Sequence, residues 1–422
     1  MKERFFEPGK ITVTIDVAWG SSAKGSMAPH IARESGLLKC VATPNQPSAG
    51  HTTVLHPSEY TGRVVEGNPA FTKMEDGDYR IVLKCLPSAA FVTRGIPICL
   101  TCDAGFKIER LMAEVALVDD RSRVKIHPNA VVVTEEHKKG AEQTGHHLSG
   151  TMQGGGHASA EKMLRKPGVR LAKDYPELAE FICNTSEVIH DVLEGGGAVL
   201  LELPQGYSLS LNHGYVYPYL TSRDITPAFA MNTCNASPRR IGPVLGLVRP
   251  FPIRVGNVEN STSGGCFDDQ VEITWPDVTR FSGADRFGVE IKEMTTVTGR
   301  VRRVFTFSTK QLEDFIRHCE PDFLALTFTS QIDYRSYGKE STADIDPEAL
   351  DRIARFVAMV ESHSGGVKVA VLGTGPKECH QVDVLDDEHF QALVASHAED
   401  CATLLDEYND RLGIFECEDC HF

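Results

Sequence analysis

The sequence predicts an α/β protein: a large, mostly parallel sheet with flanking helices and ligand loops at the carboxyl ends of its strands. Two observations predict it. Apolar strand runs alternate with segments of helical periodicity, and the strands repeatedly end in loops of Gly, Ser and Thr. The 422 residues are 41% hydrophobic, enough for a large core, and no linker or internal repeat divides them. The chain therefore reads as one elaborated domain over 1–422.

The first unit sets the pattern. Ile11, Val13, Ile15 and Val17 alternate as a buried strand that stops in Gly20-Ser21-Ser22-Ala23-Lys24-Gly25-Ser26, and a helix carrying Ala28 and Ile31 follows. This arrangement can hold phosphate, because backbone N–H groups and the positive helix end face the anion and Lys24 adds a point charge. Its spacing departs from the P-loop pattern, and a tight turn without ligand uses the same residue types. Residues 41–52 form a second small-residue loop ending in Gly50-His51-Thr52, with strand-like Thr53 and Val54 after it. Residues 56–78 are polar and turn-rich and read as a surface insertion before a strand from Tyr79 to Cys85. Ile108, Leu111, Met112 and Val115 lie at helical spacing, Val124 to Thr134 reads as a strand, and a Gly-rich segment from Ser149 to His157 leads into a basic helix start.

The second half repeats the strand-then-loop unit. Ala198 to Glu202 leads into Pro204-Gln205-Gly206, and Asn212-His213-Gly214 precedes Tyr217-Pro218-Tyr219-Leu220-Thr221-Ser222. The nine residues from Thr295 to Arg303 hold three threonines and three arginines, a loop shaped for an anion, since Arg forks take carboxylate or phosphate bidentately. Phe323 to Phe328 and Val367 to Leu372 read as buried strands ending in Thr329-Ser330-Gln331-Ile332-Asp333 and Gly373-Thr374-Gly375-Pro376.

Composition narrows the function classes. A net charge of −15 argues against nonspecific nucleic-acid binding while leaving room for local basic pockets. No stretch approaches the ~20 apolar residues that span a bilayer. The start, MKERFFEPGK, has no apolar signal core, so a cytoplasmic location is expected. The twelve cysteines are scattered and read as reduced, small apolar residues. The pairs Cys99/Cys102 and Cys417/Cys420 would form a zinc site only if the fold joined them to each other or to histidines. Residues 411–422 read as a flexible tail.

Taken in order, these loops resemble adenylosuccinate synthetase over nearly the whole chain. Trp19-Gly20 with Lys24-Gly25 resembles that family's first phosphate loop, and Ala49-Gly50-His51-Thr52 its second signature. Asn129 to Lys138, Thr151 to Arg165, Gln205-Gly206, Tyr217 to Ser222, Thr298 to Arg303 and Gly373 to Pro376 match further family segments in the same order.

The resemblance implies a two-step ligase. A nucleoside triphosphate phosphorylates O6 of a 6-oxopurine nucleotide with Mg²⁺, and the amino group of L-aspartate then displaces that phosphate. It assigns catalysis to Ser21, Lys24, His51 and Gln205, and the nucleotide monophosphate to Ser48, Thr151, Arg165, Gln205 and Thr221. Aspartate falls to Thr298, Arg300 and Arg302. The triphosphate falls to Gly20, Ser22, Lys24, Gly25, Ser26, Gly50, His51, Thr52, Gln331, Asp333, Thr374 and Gly375, and the metal to Ser21 and Gly50. Arg165 reaches across a homodimer in relatives, so a homodimer is expected.

The departures indicate the substrate. The ordinary family has Asp then Glu where this chain has Ser21 then Ser22, and that Asp is its catalytic base and a magnesium ligand. A serine there resembles the branch that makes 2-aminoadenylosuccinate from GMP or dGMP for a diaminopurine pathway in certain phages. The 2-amino group of guanine lies beside N1, where a carboxylate would crowd it and a serine leaves room. The family's Lys-Leu-Asp segment, which reads the guanine of GTP, corresponds to Gln331-Ile332-Asp333, so ATP or dATP is expected alongside GTP. The second loop has Ser48 in place of the family's Asn. Two alternatives stand beside this reading: an ordinary synthetase acting on IMP or dIMP, and a non-catalytic nucleotide sensor.

Overall fold

The computed structural model describes residues 2–295, 299–398 and 401–413. Cys417 and Cys420 therefore lie outside the described residues. In the first half the strands are β1 (Ile11–Asp16), β2 (Leu38–Thr43), β3 (His51–Leu55), β4 (Phe71–Lys73), β5 (Tyr79–Leu83), β6 (Ile98–Leu100), β7 (Gly105–Phe106), β8 (Val124–Ile126) and β9 (Val131–Val132). Then come β10 (Ala198–Gly206), β11 (Ile241–Val248), β12 (Ile253–Arg254), β13 (Glu272–Ile273), β14 (Arg303–Phe305), β15 (Phe323–Leu326), β16 (Val369–Gly373) and β17 (Gln381–Asp383).

Nine strands form one sheet in the order β17-β16-β15-β11-β1-β10-β2-β6-β8, parallel throughout except for the antiparallel edge strand β17. β1 sits at the centre, paired with β10 on one side and β11 on the other. Its alternation does not mark a half-exposed strand: Thr12 and Thr14 are as buried as Ile11, Val13 and Ile15. A parallel sheet covered on both faces buries both sides of its central strands. β10 shows this directly, with Val199, Leu201 and Leu203 in one apolar cluster and Ala198 and Leu200 in the other. Successive side chains of a strand point to opposite faces, so the two clusters are the two layers of core.

The first helix, Lys24–Ala32 (α1), is buried along its whole length and packs against β3. The expected strand from Val124 to Thr134 is broken into β8 and β9. Pro128 lies between them and lacks the N–H a ladder needs. Residues 56–78 hold turns and β4, which extends a small antiparallel sheet in the order β3-β5-β4, and Tyr60 and Ala70 are buried there. Cys99 lies buried in the core with its thiol 3.7 Å from that of Cys40.

Candidate active site

Loops at the carboxyl ends of β1, β2 and β10, together with segments from 144–157, 218–223 and 253–255, surround a cavity of about 370 Å³. This is where an open α/β sheet binds ligands. Among the described residues the wall carries three cationic side chains, Arg223, Arg254 and Arg302, and no carboxylate. Such a wall suits an anion.

The first loop folds around Asp16, the last residue of β1. Its Oδ1 accepts from the N–H of Ala18 (2.8 Å) and Gly20 (3.1 Å), and its Oδ2 from the N–H of Ser22 (2.6 Å). The N–H groups of Gly20 and Ser22 are thus turned to a buried carboxylate inside the protein, not toward a bound phosphate as the sequence suggested. Lys24 is equally internal. Its ammonium donates to the carbonyls of Gln205 (2.6 Å) and Gly20 (3.2 Å) and lies 3.6 Å from Asp16. Burial lowers the Lys24 pKa, and the Asp16 carboxylate opposes that shift. Ser21 does line the cavity: its carbonyl accepts from Arg249 (2.7 Å) and its hydroxyl from Arg302 (2.5 Å).

The second loop brings His51 to the cavity, along with Ser48 and Gly50. His51 Nδ1 lies 3.3 Å from Glu202 in β10, which also accepts from the Ser88 N–H and hydroxyl and the Ala89 N–H. A buried carboxylate with that many donors is a fixed orienter for the imidazole and leaves Nε2 for substrate. Gln205 stands in the left-handed region at φ 63° and donates from its side chain to Ser48 (3.3 Å). Thr151 and Thr221 complete the group of sequence-predicted residues that share the cavity wall.

Other expected site residues are placed differently. Arg300 donates to the carbonyls of Gly256, Ser149 and Gly150, so its guanidinium ties segments of backbone together where the sequence suggested a carboxylate clamp. Those carbonyls sit in irregular backbone and need donors, which explains its place. Thr298 lies outside the described residues. Gln331 is buried, donating to Glu293 and accepting from Arg249. Asp333 is buried between Arg335 and Arg352, which both donate to its carboxylate. Neither is open to a base edge, contrary to the expectation for a guanine reader. Thr374 is buried with its hydroxyl on the Lys339 carbonyl, and Gly375 lies outside the cavity wall. Ser26 reaches that same turn, donating to the Pro376 carbonyl at 3.0 Å. Gly25 and Thr52 pack backbone to backbone, and Arg165 is exposed and away from the cavity.

Sequence reasoning missed Asp16, Glu202, Arg223 and Arg254. Asp16 and Glu202 carried a legible signal, since each is the one charged residue in a strand otherwise fit for the core. Arg254 donates to the carbonyls of Ser263 (2.8 Å) and Tyr219 (2.7 Å), with its guanidinium 4.9 Å from the Trp19 ring. Burial brings its pKa down to about 10. Arg223 holds the carbonyls of Pro44 and Asp103, each at 3.0 Å.

The metal expectation can be tested on the donor set. Mg²⁺ is ordinarily held by a carboxylate or two plus substrate phosphates. The wall offers the Ser21 hydroxyl and the backbone of Gly50 but no carboxylate, so these residues suit an ion that arrives on a nucleotide's phosphates. Outside the cavity, Glu340, Cys379 and His380 bring ligating atoms within 4.8 Å of one another, a mixed sulfur, nitrogen and oxygen set unlike a Mg²⁺ site.

Known proteins resemble this chain in sequence and in fold. The profile of the adenylosuccinate synthetase family matches residues 169–336. The N6-succino-2-amino-2'-deoxyadenylate synthase of Vibrio phage phiVC8 is 33% identical over 333 residues, covering 76% of this chain and 86% of that protein. The adenylosuccinate synthetase of Pyrococcus horikoshii is 28% identical over 384 residues, 89% of this chain and 98% of that protein. Among solved structures, the cyanophage S-2L succinoaminodeoxyadenylate synthetase, bound to dGMP and to dATP as an energy donor, superposes with a TM-score of 0.71 at 28% identity. That match covers 92% of this chain and 99% of that one. A fully ligated Plasmodium falciparum adenylosuccinate synthetase shares the fold at 16% identity, with a TM-score of 0.67 over 89% of this chain and 99% of that one. With a relative 33% identical of which 86% is covered, the chain belongs to the adenylosuccinate synthetase family.

Proposed function

We propose that this protein joins L-aspartate to dGMP, with ATP or dATP as phosphoryl donor, to give N6-succino-2-amino-2'-deoxyadenylate. The observation that carries the reading is Ser21 in the wall of a cavity that holds no carboxylate. A guanine base brings a 2-amino group to the place where the ordinary family keeps an Asp, and here it meets a hydroxyl already fixed by Arg302. The names of the phage relatives point to the same deoxynucleotide product.

In the first step the guanine N1 proton passes to water, O6 bonds the terminal phosphorus of the donor, and the bond from that phosphorus to the departing nucleoside diphosphate breaks. In the second, the aspartate amino group bonds C6 and the C6–O6 bond breaks, releasing inorganic phosphate. His51, oriented by Glu202, offers Nε2 to hold or move a proton at O6. Arg302, Arg254 and Arg223 supply the positive field for phosphates and for the two carboxylates of aspartate. Ser48, Thr151, Gln205 and Thr221 frame the 5′-phosphate, and Ser21 and Gly50 would hold Mg²⁺ brought by the nucleotide, which neutralises charge on the transferring phosphoryl group. Asp333, spanned by Arg335 and Arg352, is already neutralised, which favours an adenine donor over a guanine one.

The working form we assign is a homodimer in which Arg165, exposed on one chain, completes its partner's phosphate site. We place it in the cytoplasm, where free thiols such as Cys40 and Cys99 stay reduced. Among the described residues, no helix is long and apolar enough to cross a membrane. The test is an incubation with aspartate, Mg²⁺, ATP or GTP, and each of dGMP, GMP, dIMP and IMP. A succinylated product from dGMP supports the reading. A product from IMP alone would overturn it, and phosphate release with none of the four would point to a sensor.

A further inference from the structure

We infer that Asp16 is the positioning residue of this site: its buried carboxylate folds the 18–22 turn around itself and fixes the Lys24 ammonium against the Gln205 backbone. The inference rests on the proposed reaction for its meaning and on the contacts of Asp16 for its support. Ile11, Val13 and Ile15 line one buried face of β1, and on the other Asp16 follows Thr12 and Thr14, which are equally buried but uncharged. A carboxylate at the end of such a strand is costly to bury unless every lone pair is used. Here it is used in full. Three backbone donors, the N–H groups of Ala18, Gly20 and Ser22, converge on the two oxygens, and the Lys24 ammonium completes the set.

Lys24 carries the effect into the cavity. Two of its three N–H donors go to the Gly20 and Gln205 carbonyls, and the third faces Asp16. Its side chain is 1% exposed, and the charged groups around it are Asp16 from β1 and, farther off, Glu202 from β10, the partner of His51. The Gln205 carbonyl it holds belongs to a residue in the left-handed region, at φ 63°. A non-glycine residue persists there only where its surroundings enforce it. Asp16 thus acts through Lys24 on Gln205, and through the Gly20 and Ser22 amides on Ser21. The negative charge absent from position 21 stands one layer behind the loop, where it can shape the site without crowding a purine.

The test is a double-mutant cycle on the full-length protein with Asp16→Asn, Lys24→Met and the double variant. An asparagine keeps the size of Asp16 but offers one acceptor oxygen and no charge. Asp16→Asn is expected to lower kcat with dGMP at least tenfold while the KM for aspartate stays within twofold. The kcat losses of the two single variants should fail to multiply in the double variant. The thermal midpoint gives an independent reading: Lys24→Met strands a buried carboxylate, so adding Asp16→Asn should raise its midpoint by several degrees. Losses that multiply, an Asp16→Asn enzyme with more than half the wild-type kcat, or a double variant that melts below both singles would each overturn the role of Asp16. Wild-type protein that yields no product from dGMP, while the melting cycle behaves as stated, would instead overturn the proposed reaction.

Discussion

Ser21 and His51 are the side chains on which chemistry and substrate choice meet. The Ser21 hydroxyl accepts from Arg302, so an aspartate at this position would form a charge-assisted pair with that guanidinium and project farther into the cavity. Ser21→Asp should therefore lower dGMP turnover by about tenfold or more, about 1.4 kcal/mol in the barrier. Steady-state kinetics with dGMP and IMP in parallel decide this, and unchanged dGMP turnover would sink the steric account. His51 is held at Nδ1 by Glu202, a carboxylate that also takes three donors from Ser88 and Ala89. Loss of a positioned acid–base group costs about 10²–10⁴-fold. His51→Ala should fall in that range in single-turnover assays, with a smaller loss for Glu202→Gln, which keeps the shape and weakens the orientation.

At the level of elements, close backbone approach and buried ion pairs decide how the loops stand. Helix α1 meets β3 so closely that a Cβ on Gly25 would lie 2.4 Å from the Thr52 carbonyl oxygen and 2.7 Å from its nitrogen. Gly25→Ala must push two backbone segments apart, a cost of about 1–3 kcal/mol in a packed core. A thermal melt should show the loss, and a midpoint within a degree of wild type would refute the close contact. A second device links the strand ends on the other side of β1. Glu293 pairs with Arg249, which holds the Ser21 carbonyl and lies over the Phe328 ring, while Gln331 bridges the two. Burial works to raise the Glu293 pKa, but Arg249, Arg302 and Gln331 together outweigh it and hold the carboxyl below its ordinary value. A depressed carboxyl contributes stability that is complete above the unfolded value, about 4.3 for Glu, and is lost as pH falls through the folded one. Midpoints measured across the acid range should therefore fall less steeply in Glu293→Gln than in wild type, and parallel curves would deny the pair this part.

For the whole molecule, the choice of phosphoryl donor is set by which side chains remain free to read its base. Asp333 lies under Arg335 and Arg352 and Gln331 under Arg249 and Glu293, so neither is spare for a purine edge. Initial rates should favour ATP or dATP over GTP, and Asp333→Asn should leave that ratio within about twofold, well under the ~1.4 kcal/mol that a tenfold change requires. A strong preference for GTP that Asp333→Asn abolishes would restore the guanine-reading role.

The sequence by itself determined the fold class and marked several residues that line the cavity. The apolar runs at Ile11, Tyr79, Ala198, Phe323 and Val367 announced strands of the fold, while β2 and β11 were not read from the sequence, and Ser21, Ser48, His51, Thr151, Gln205 and Thr221 stood in loops that the fold gathers around one cavity. Tertiary structure decided what those loops do with their polar groups. Gly20, Ser22 and Lys24 look outward in the sequence because a small-residue loop after a strand commonly binds phosphate, yet in the fold they turn to Asp16. Arg300 reads as a carboxylate clamp and proves to be a backbone tie, while Arg223 and Arg254, with no motif to mark them, carry the charge of the wall. The physical reason is the same in each case. Hydrophobic periodicity is local and survives in one dimension, whereas the partner of a buried charge is chosen by whichever donors and acceptors the distant strands bring within about 3 Å.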